Sequence, residues 1–482
     1  MKELVGYLPD IGDEVFETKI LTFSGKEGTL ELEAPLLSEE QMNKVMQKVR
    51  KASAEILKSM TVSEIISIID QAIEQMLDRN STYRKKAEEL LPLVTGYDAE
   101  MVRLGLTSFL KTFRKPELQQ FIVEDLGNPL LLDDFQPRAK GGFSKAVGPE
   151  LILHVWAGNV PALPLWSLIS GLLAKSGNVG KVSSAEPLFA GWFARLLAEI
   201  APQLADCFAV VWWKGGDAER ESAIFQQSDV VVGYGGNESL ESLKRRIPIT
   251  VRFLPFGHKV SFGVISRSSL DSRKAWETAH QAALDIMRYD QQGCYSPHIM
   301  YVQKGGAVSP AEFAKYVAYE LECFEKRFPR RSLSLEEMAS VASWRTQEEL
   351  GVYTNPDKEV LGNEGNNWTV VYEETSSFAP TCLNRVVKIM AFENIEEVLL
   401  QIAPHRSFLQ TAGVAAAPKE LFRWADLLGR AGVTRVTGLG NMTSPEAGWH
   451  HDGRFNLLDL VQMVDIEHSA KAYSEQFAPY AD

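Results

Sequence analysis

The sequence predicts an α/β protein with a doubly wound parallel sheet, and the main evidence is a regular alternation of strands and helices. From residue 151 onward, short apolar segments alternate with amphipathic runs of helical length, which is typical of parallel strands joined by crossover helices. A second α/β segment follows from residue 260 to about 392. The chain of 482 residues is 45% hydrophobic and 23% charged, an ordinary globular composition with room for about two or three domains.

Individual elements can be placed by their apolar runs and their end signals. We expect strands at 151–156, 180–183, 209–213, 230–234, 250–254, 261–265, 299–302 and 369–372, with connecting helices at 188–200 and 240–246. In the first third, capping boxes at Ser38–Gln41 and Thr61–Glu64 predict helix starts, as do Asp98 and Lys115-Pro116. A basic stretch at 138–148 predicts an exposed arm, and the last ninety residues are expected to add more helix.

Charge and cysteine content exclude several classes of protein. The formal net charge of −13 argues against general binding to nucleic acid or to an anionic membrane. The four cysteines are widely spaced and form no CxxC pair, which predicts a reducing, cytoplasmic location. The acidic start has no apolar core of a signal peptide. The stretch 151–174 has no Asp, Glu, Lys or Arg, but Pro161 and Pro164 interrupt it, so we interpret it as a buried strand, turn and helix.

Cys294 is the candidate nucleophile. It lies in the polar turn YDQQGCYSPH, after a helix predicted to end near Met287, where backbone N–H groups can stabilise a thiolate and an oxyanion. The alternative is a structural cysteine in a loop. The other three cysteines lie within or near apolar runs and are expected to be packed and inert: Cys207, Cys323 and Cys382.

Two further segments contain polar groups where predicted strands end. Asn159, in WAGNVP, can donate its side-chain N–H to an oxyanion or merely cap the next helix. Lys181, with Ser183 and Ser184 beside it, can bind a ribose or phosphate or be a surface lysine before a helix. The glycine turn at 233–236 allows close approach of a pyrophosphate, although the chain lacks a GxGxxG motif.

Taken in order, these segments resemble the aldehyde dehydrogenase superfamily. WAGNVP resembles its oxyanion-asparagine segment, GKVSSAEPL its lysine segment, VVGYGGNESL its glycine turn, LPFGHKVSFGVI its E-L-G-G-K strand and GCYSP its cysteine loop. The segments AGNVP, KVSS, YDQQGCYSP and WHHDGR are similar to the long-chain fatty-acyl-CoA reductases of bacterial luminescence (LuxC type). The resemblance runs from about Leu151 to Arg454.

The resemblance implies a fold, a set of domains and roles for particular residues. It implies an NADP-binding domain with N-terminal helices over 1–258, an arm near 130–148 for oligomerisation, a catalytic thiol domain over 259–440, and a C-terminal segment over 441–482 that returns to the cofactor domain or to an oligomer contact. The implied catalytic residues are Cys294 and Asn159. The implied cofactor-binding residues are Lys181, Ser183, Ser184, Gly235 and Gly236. No metal is implied.

Departures from the superfamily pattern refine the expected chemistry. Pro255 stands where hydrolytic members carry the water-activating glutamate of E-L-G-G-K, so the acyl-enzyme should await hydride or a thiol. Ser184 stands where NAD-selective members carry a glutamate that repels a 2′-phosphate, which favours NADPH. The family's E-E-x-F-G-P-V motif is echoed only by Glu373–Pro380, and it does not identify the residue that binds the nicotinamide ribose.

The implied activity is NADPH-dependent reduction of a fatty acyl thioester, such as acyl-CoA, to an aldehyde through an acyl-Cys294 enzyme. The donor can be acyl-CoA, an acyl carrier protein or an acylated partner protein, and a homo-oligomer (dimer or tetramer) without an integral membrane segment is expected. Two alternatives remain open: an acyl-phosphate or semialdehyde dehydrogenase, and a catalytically silent member of a fatty-acid-handling complex. The presence of Cys294, Asn159 and Lys181 together argues against the silent alternative.

Overall fold

A computed structural model describes residues 2–12, 14–25, 28–375 and 377–479. Its N-terminal part is a small sheet of order β1-β3-β2 followed by helices and a two-strand arm. The strands are β1 (Lys2–Leu4), β2 (Glu17–Gly25), β3 (Gly28–Leu36), β4 (Gln136–Pro137) and β5 (Phe143–Val147). The helices are α1 (Glu39–Glu55), α2 (Val62–Leu77), α3 (Thr82–Thr95), α4 (Ala99–Lys111) and α5 (Lys115–Leu126).

The predicted helix starts in this region are confirmed. Both capping boxes form: Ser38 Oγ accepts from the Gln41 N–H at 3.2 Å, and Thr61 Oγ1 accepts from the Glu64 N–H at 3.3 Å. Asp98 caps α4 through the N–H of Glu100, because an aspartate side chain can satisfy one of the unpaired N–H groups of a first turn.

The first large sheet is parallel throughout and has the order β10-β9-β6-β7-β8. Its strands are β6 (Leu151–Val155), β7 (Gly177–Lys181), β8 (Phe208–Val211), β9 (Val230–Tyr234) and β10 (Arg252–Phe256). The connecting helices are α6 (Leu165–Leu173), α7 (Phe189–Ile200), α8 (Ala218–Gln226) and α9 (Asn237–Lys244). The chain runs outward from β6 to β8 and then returns to β9 on the other side of β6. The carboxyl ends of β6 and β9 therefore flank a topological switch point, where ligands bind in such sheets.

The second large sheet has the order β13-β14-β15-β12-β11-β16-β17 and is parallel except for the β13–β14 pair. Its strands are β11 (Val260–Ile265), β12 (Pro297–Gln303), β13 (Glu359–Gly362), β14 (Thr369–Glu373), β15 (Val386–Phe392), β16 (Leu409–Ala415) and β17 (Arg435–Gly438). The helices are α10 (Lys274–Met287), α11 (Pro310–Arg327), α12 (Leu335–Val352), α13 (Ile395–Ile402) and α14 (Pro418–Ala431).

The C-terminal segment completes a three-stranded sheet with the arm. Strand β18 (Gln462–Ile466) pairs antiparallel with β5, giving the order β18-β5-β4, and α15 (His468–Ser474) follows. On its way, this segment passes the first large sheet, where Arg252 donates to the carbonyl of Asp459 at 2.6 Å. Within the described residues, no helix is both long and apolar enough to cross a bilayer. The stretch 151–174 instead forms β6, a turn and the nine-residue helix α6.

Most predicted strands are confirmed within a few residues, and so is the additional helix expected in the last ninety residues, where α13, α14 and α15 lie. The same residues also contain strands β16, β17 and β18, and β16 and β18 pair with strands that lie far away in the sequence. Cys323 is exposed on α11 instead of packed, because the buried face of that amphipathic helix contains Leu321 and Phe324 and turns Cys323 outward.

Candidate active site

A cavity of about 570 Å³ lies where the switch point of the first sheet faces the loop before β12. Its wall includes the turn after β6, the glycine turn after β9, the β10–β11 connection and the loop that carries Cys294. The structure thus brings Asn159, Gly235, Gly236 and Cys294 to one cavity, although they are distant in the sequence. The volume is within the usual range for a site that binds small molecules.

Cys294 occupies a loop fixed to the second sheet. Ser261 Oγ on β11 donates to the Cys294 carbonyl oxygen at 2.8 Å, and Ser261 Oγ in turn accepts from the Thr411 N–H at 3.1 Å. The side chain of Gln410 donates to Cys294 Sγ at 3.3 Å. The residue is half-buried in the cavity wall, and the other half-buried cysteine, Cys382, lies outside that wall.

The surroundings of the Cys294 thiol keep it protonated near neutral pH. Burial raises the pKa of the thiol to about 11, and the nearby Asp452 carboxylate raises it further, while the Gln410 hydrogen bond and the Cys294 backbone N–H act in the opposite direction. The sequence predicts a turn that stabilises the thiolate. Only the Gln410 side chain and the Cys294 backbone N–H act in that direction. In the absence of ligand, the loss of water around the sulphur raises the pKa by more than these two hydrogen bonds lower it.

Asn159 lies beside the Cys294 loop and does not cap a helix. Its Nδ2 donates to the carbonyl of Gln292 at 2.6 Å, which leaves a second N–H on the same nitrogen. Helix α6 begins only at Leu165, with Pro164 at the N-cap and no side-chain cap, so the capping interpretation of Asn159 is wrong. The side chain is exposed in the cavity wall, where it can meet a bound carbonyl.

Tyr97 was not anticipated from the sequence and cross-links the two loops. Its buried hydroxyl lies 2.9 Å from the Asn159 carbonyl and 3.2 Å from the Tyr289 carbonyl, and donates towards both. An ordinary tyrosine in a helix-rich segment gives no sequence signal for such a role.

Two runs of left-handed backbone hold the Cys294 loop from behind. Residues 289–291 have φ between 49° and 64°, and residues 383–385 have φ between 60° and 66°. Asp290 contributes most of the contact: its carbonyl accepts from the Asn384 N–H at 3.0 Å, and its carboxylate accepts from Arg385 Nε at 2.6 Å. Gln291 pairs with the backbone of Val386 in both directions, donating at 3.0 Å and accepting at 2.8 Å. Left-handed backbone at non-glycine residues is costly, so these contacts are what maintain it.

The predicted cofactor residues lie along the carboxyl edge of the first sheet. Lys181 is the last residue of β7, and burial lowers the pKa of its ammonium group. Within the described residues, that ammonium has no hydrogen bond or ion pair, although it lies close to the backbone of Gly215. Ser183 Oγ accepts from the Ala185 N–H at 3.2 Å, and Ser184 Oγ accepts from Trp212 Nε1 at 3.0 Å.

Two of the glycines that line the cavity, Gly235 and Gly236, leave room for a ligand against the backbone. A Cβ on Gly158 would lie 2.9 Å from Ser183, so this turn passes close to the lysine segment. A Cβ on Gly236 would meet nothing within 4 Å, and on Gly235 only Ser239 at 3.8 Å. Gly236 precedes the first turn of α9, whose free N–H groups suit a pyrophosphate. The half-buried ammonium of Lys181 together with this open backbone fits a dinucleotide phosphate.

Carboxylates that could activate water are engaged elsewhere. Pro255 is exposed in β10, pairs with Gly233 and does not line the cavity. Glu374 pairs with Lys304, and Glu373 lies 3.7 Å from Lys358; neither lines the cavity, and Ser376 of the same motif lies outside the described residues. Glu337, the carboxylate in the described cavity wall, is paired with Arg331.

In the described part of the chain, no group of three or more His, Cys, Asp or Glu is arranged to bind a metal ion.

The fold of this chain is that of the aldehyde dehydrogenases. The aldehyde dehydrogenase KauB from Pseudomonas aeruginosa superposes with a TM-score of 0.73 at 15% identity, covering 96% of both chains. The NADP-dependent glyceraldehyde-3-phosphate dehydrogenase from Bacillus halodurans C-125 superposes with a TM-score of 0.72 at 13% identity, covering 96% of this chain and 98% of that chain. These similarities establish the aldehyde dehydrogenase fold that the resemblance predicted.

Comparison of sequences identifies the family within that class. The family described as acyl-CoA reductase (LuxC) matches residues 57–463. The long-chain acyl-protein thioester reductase of Aliivibrio fischeri is 27% identical over 394 residues, covering 81% of this chain and 78% of that protein. The corresponding protein of Vibrio harveyi is 23% identical over 396 residues, covering 81% and 80%. The chain belongs to the acyl-CoA reductase (LuxC) family, and it is an oxidoreductase rather than a silent scaffold.

Proposed function

We propose that the protein reduces a long-chain fatty acyl thioester to the aldehyde with NADPH, through an acyl-enzyme on Cys294. The observation that carries the proposal is that one cavity contains Cys294, the side chain of Asn159 and the open glycine turn at Gly235 and Gly236. A nucleophile, an oxyanion donor and a place for a dinucleotide are therefore within reach of the same bound acyl group.

In the first half-reaction, the Cys294 sulphur attacks the carbonyl carbon of the thioester. The tetrahedral oxyanion accepts hydrogen bonds from the free N–H of Asn159 and from the Cys294 backbone, and its collapse breaks the bond to the donor thiolate. Tyr97 supports this geometry because it holds the Asn159 and Tyr289 carbonyls in fixed positions. The product is an acyl-Cys294 thioester and a free donor thiol.

When bound, NADPH would supply a hydride to the carbonyl carbon of the acyl-Cys294 thioester, which is the second half-reaction. The same two donors stabilise the alkoxide that results, and its collapse releases the aldehyde and the Cys294 thiolate. Because Glu337, the carboxylate described in the cavity wall, is paired with Arg331, no free carboxylate is available there to activate water, and we expect the acyl-enzyme to wait for reduction.

The choice of NADPH rests on charge at the end of β7. Lys181 presents an unpaired ammonium group there, and Ser184 offers a hydroxyl where a carboxylate would repel a 2′-phosphate. Glu221, the nearby carboxylate, raises the pKa of Lys181 against the larger effect of burial, but its own ion pair is with Arg246. Lys181 and Ser184 therefore suit the 2′-phosphate of NADPH, which an acidic residue at the position of Ser184 would repel.

The acyl donor and the assembly are further parts of the proposal. Relatives are named as acyl-protein thioester reductases, which favours an acylated partner protein as donor, with acyl-CoA as its small-molecule equivalent. The apolar cavity wall formed by Val94, Val160, Leu163 and Leu383 suits a fatty chain. We keep a homo-oligomer in the cytoplasm as the proposed state, since β18 is an exposed edge strand and unpaired thiols need a reducing compartment.

One experiment tests the proposal directly. Purified protein is incubated with NADPH and either a series of acyl-CoAs or an acylated carrier protein, and aldehyde is measured. We expect NADPH-dependent aldehyde formation, acylation of Cys294 in mass spectra, and loss of both in Cys294→Ala. Cys323→Ala is the matched control, since this exposed thiol lies on α11 away from the cavity. Aldehyde formation by Cys294→Ala, or activity only with an acyl phosphate, would overturn the proposal.

A further inference from the structure

Gln410 joins the sulphur of Cys294 to a carboxylate that the reaction above does not use. Gln410 is fully buried on β16, and its Nε2 donates both to Cys294 Sγ at 3.3 Å and to Asp452 Oδ1 at 2.7 Å. We propose that Gln410 is a catalytic residue that donates a hydrogen bond to the Cys294 thiolate, and that Asp452 is a positioning residue that keeps the Gln410 amide in this orientation. The inference rests on the proposed role of Cys294 as nucleophile.

The orientation of the Gln410 amide follows from the chemistry of its neighbour. An ionised carboxylate can only accept hydrogen bonds, so the amide must turn its NH₂ group, and not its oxygen, towards Asp452. The second N–H of the same nitrogen then points at the sulphur. The reversed amide would place its oxygen against two groups that carry or acquire negative charge, Asp452 and the Cys294 thiolate.

Asp452 is itself held in place by the backbone and by a lysine. It has a left-handed backbone, with φ of 55°, inside the WHHDGR segment, and its side chain is 8% exposed. Lys259 Nζ lies 3.9 Å from Asp452 Oδ2 and also donates to the Ser407 carbonyl at 3.1 Å. A chain of contacts from Lys259 through Asp452 and Gln410 to Cys294 therefore crosses four separate segments of the sequence.

Asp452 has two opposite effects on the thiol. Its negative charge raises the pKa of Cys294, while the amide that it orients lowers that pKa. Other titratable groups near the sulphur are Arg435, which favours the thiolate, and two tyrosines, the partly buried Tyr234 and the buried Tyr295, whose pKa values are raised by loss of water. Because the two effects of Asp452 act through different atoms, substitution of Gln410 separates them.

The test is a double-mutant cycle on the rate of Cys294 alkylation. Iodoacetamide is applied to the full chain between pH 7 and pH 10, and modification is followed on the Cys294-containing peptide by mass spectrometry, so that the exposed Cys323 does not interfere. Gln410→Leu should slow alkylation at pH 8 about tenfold, since a hydrogen bond to a charged group is lost. Gln410→Met, which keeps the shape of the side chain, should do the same and serves as a second variant if leucine impairs folding.

Asp452→Asn distinguishes positioning from simple charge repulsion. In the Gln410→Leu background it removes only the negative charge, so alkylation should become faster. In the wild-type background the same substitution also frees the amide to turn, so the gain should be at least threefold smaller. Equal gains in the two backgrounds would overturn the role of Asp452, and an unchanged pH profile in both Gln410 variants would overturn the role of Gln410.

Turnover and stability provide the remaining readouts. Gln410→Leu should lower kcat for aldehyde formation about 10- to 100-fold with little change in KM, since the hydrogen bond strengthens as charge develops on sulphur. Two matched controls change the same residue types elsewhere. Gln401→Leu removes the acceptor of the Tyr301 hydroxyl, and Asp459→Asn removes the ion pair with Arg454. If Cys294→Ala retains reductase activity, the proposed function fails, whereas the alkylation profiles test Gln410 and Asp452 independently.

Discussion

Arg385 Nε donates to Asp290 Oδ1 at 2.6 Å, and neither side chain has more than 1% of its surface exposed. The pair joins the two left-handed backbone runs behind the Cys294 loop, and Glu325 accepts a second bond from Arg385 at 2.7 Å. Removing one member would leave a buried, unpaired charge. The pair therefore couples the stability of the fold to the geometry of the nucleophile.

Arg385→Met should lower the free energy of unfolding by about 3–5 kcal/mol, since Asp290 would remain buried without its partner. Urea denaturation provides the measurement. Arg423→Met, which breaks the exposed pair with Glu396, is the control and should cost about 1 kcal/mol or less. If both variants lose a similar free energy of unfolding, the buried Asp290–Arg385 pair contributes no more to stability than an exposed ion pair.

Asn159→Ala should lower turnover by about 10²–10³, the usual effect of deleting one oxyanion donor. Part of the effect will be positional, because Asn159 also binds the Gln292 carbonyl. Single-turnover kinetics with acyl-CoA should show slower formation of the acyl-enzyme and slower reduction, with an unchanged melting temperature. A fall in melting temperature with normal turnover would mean that the contact with Gln292 is purely structural.

Cys294 should react slowly with iodoacetamide near neutral pH in the absence of cofactor. Its pKa is raised to about 11, chiefly by burial, so the rate should climb about tenfold per pH unit from pH 7 to pH 10 without levelling off. The same peptide in urea-denatured protein should level off near the ordinary thiol pKa of about 8.5. The raised pKa also predicts that this thiol stabilises the fold below about pH 8.5 and that its contribution is lost as pH rises towards 11. A plateau near pH 8 in the native protein would contradict this burial effect.

Ser184→Glu should reverse the cofactor preference. The new carboxylate would lie beside Lys181 and face the 2′-phosphate, at a cost of about 1–3 kcal/mol for NADPH relative to NADH. The measurement is kcat/KM with NADPH and with NADH for the wild type and the variant. Ser239→Glu, on the first turn of α9, is the control for an added negative charge. A wild-type preference for NADH that the substitution leaves untouched would mean that another part of the site recognises the 2′-position.

Incubation with acyl-CoA alone should leave a long-lived acyl-Cys294 enzyme. Within the described cavity wall, Glu337 is paired with Arg331, and Glu373 and Glu374 are paired outside it, so no free carboxylate is available to activate water for hydrolysis. Intact-mass spectra over time, followed by addition of NADPH, should show slow hydrolysis and fast discharge to aldehyde. Rapid release of free fatty acid without cofactor would identify an unrecognised base.

The sequence alone was sufficient wherever the physical cause is local. Alternation of apolar strands and helices predicts the parallel sheets, and capping boxes predict the starts of α1 and α2, because both depend on residues close together in the chain. The turn around Cys294 and the polar end of β6 at Asn159 could be recognised for the same reason, and the order of motifs carried the family resemblance.

Only the tertiary structure decided which distant residues surround the nucleophile. Gln410 lies 116 residues from Cys294 along the chain and Arg385 lies 95 residues from Asp290, and an isolated glutamine or arginine has no local pattern that reveals such a partner. The exposure of Cys323 and the raised pKa of Cys294 likewise depend on which face of an element is covered by the rest of the fold. Burial and long-range pairing depend on how distant segments pack against each other, so a local sequence pattern does not reveal them.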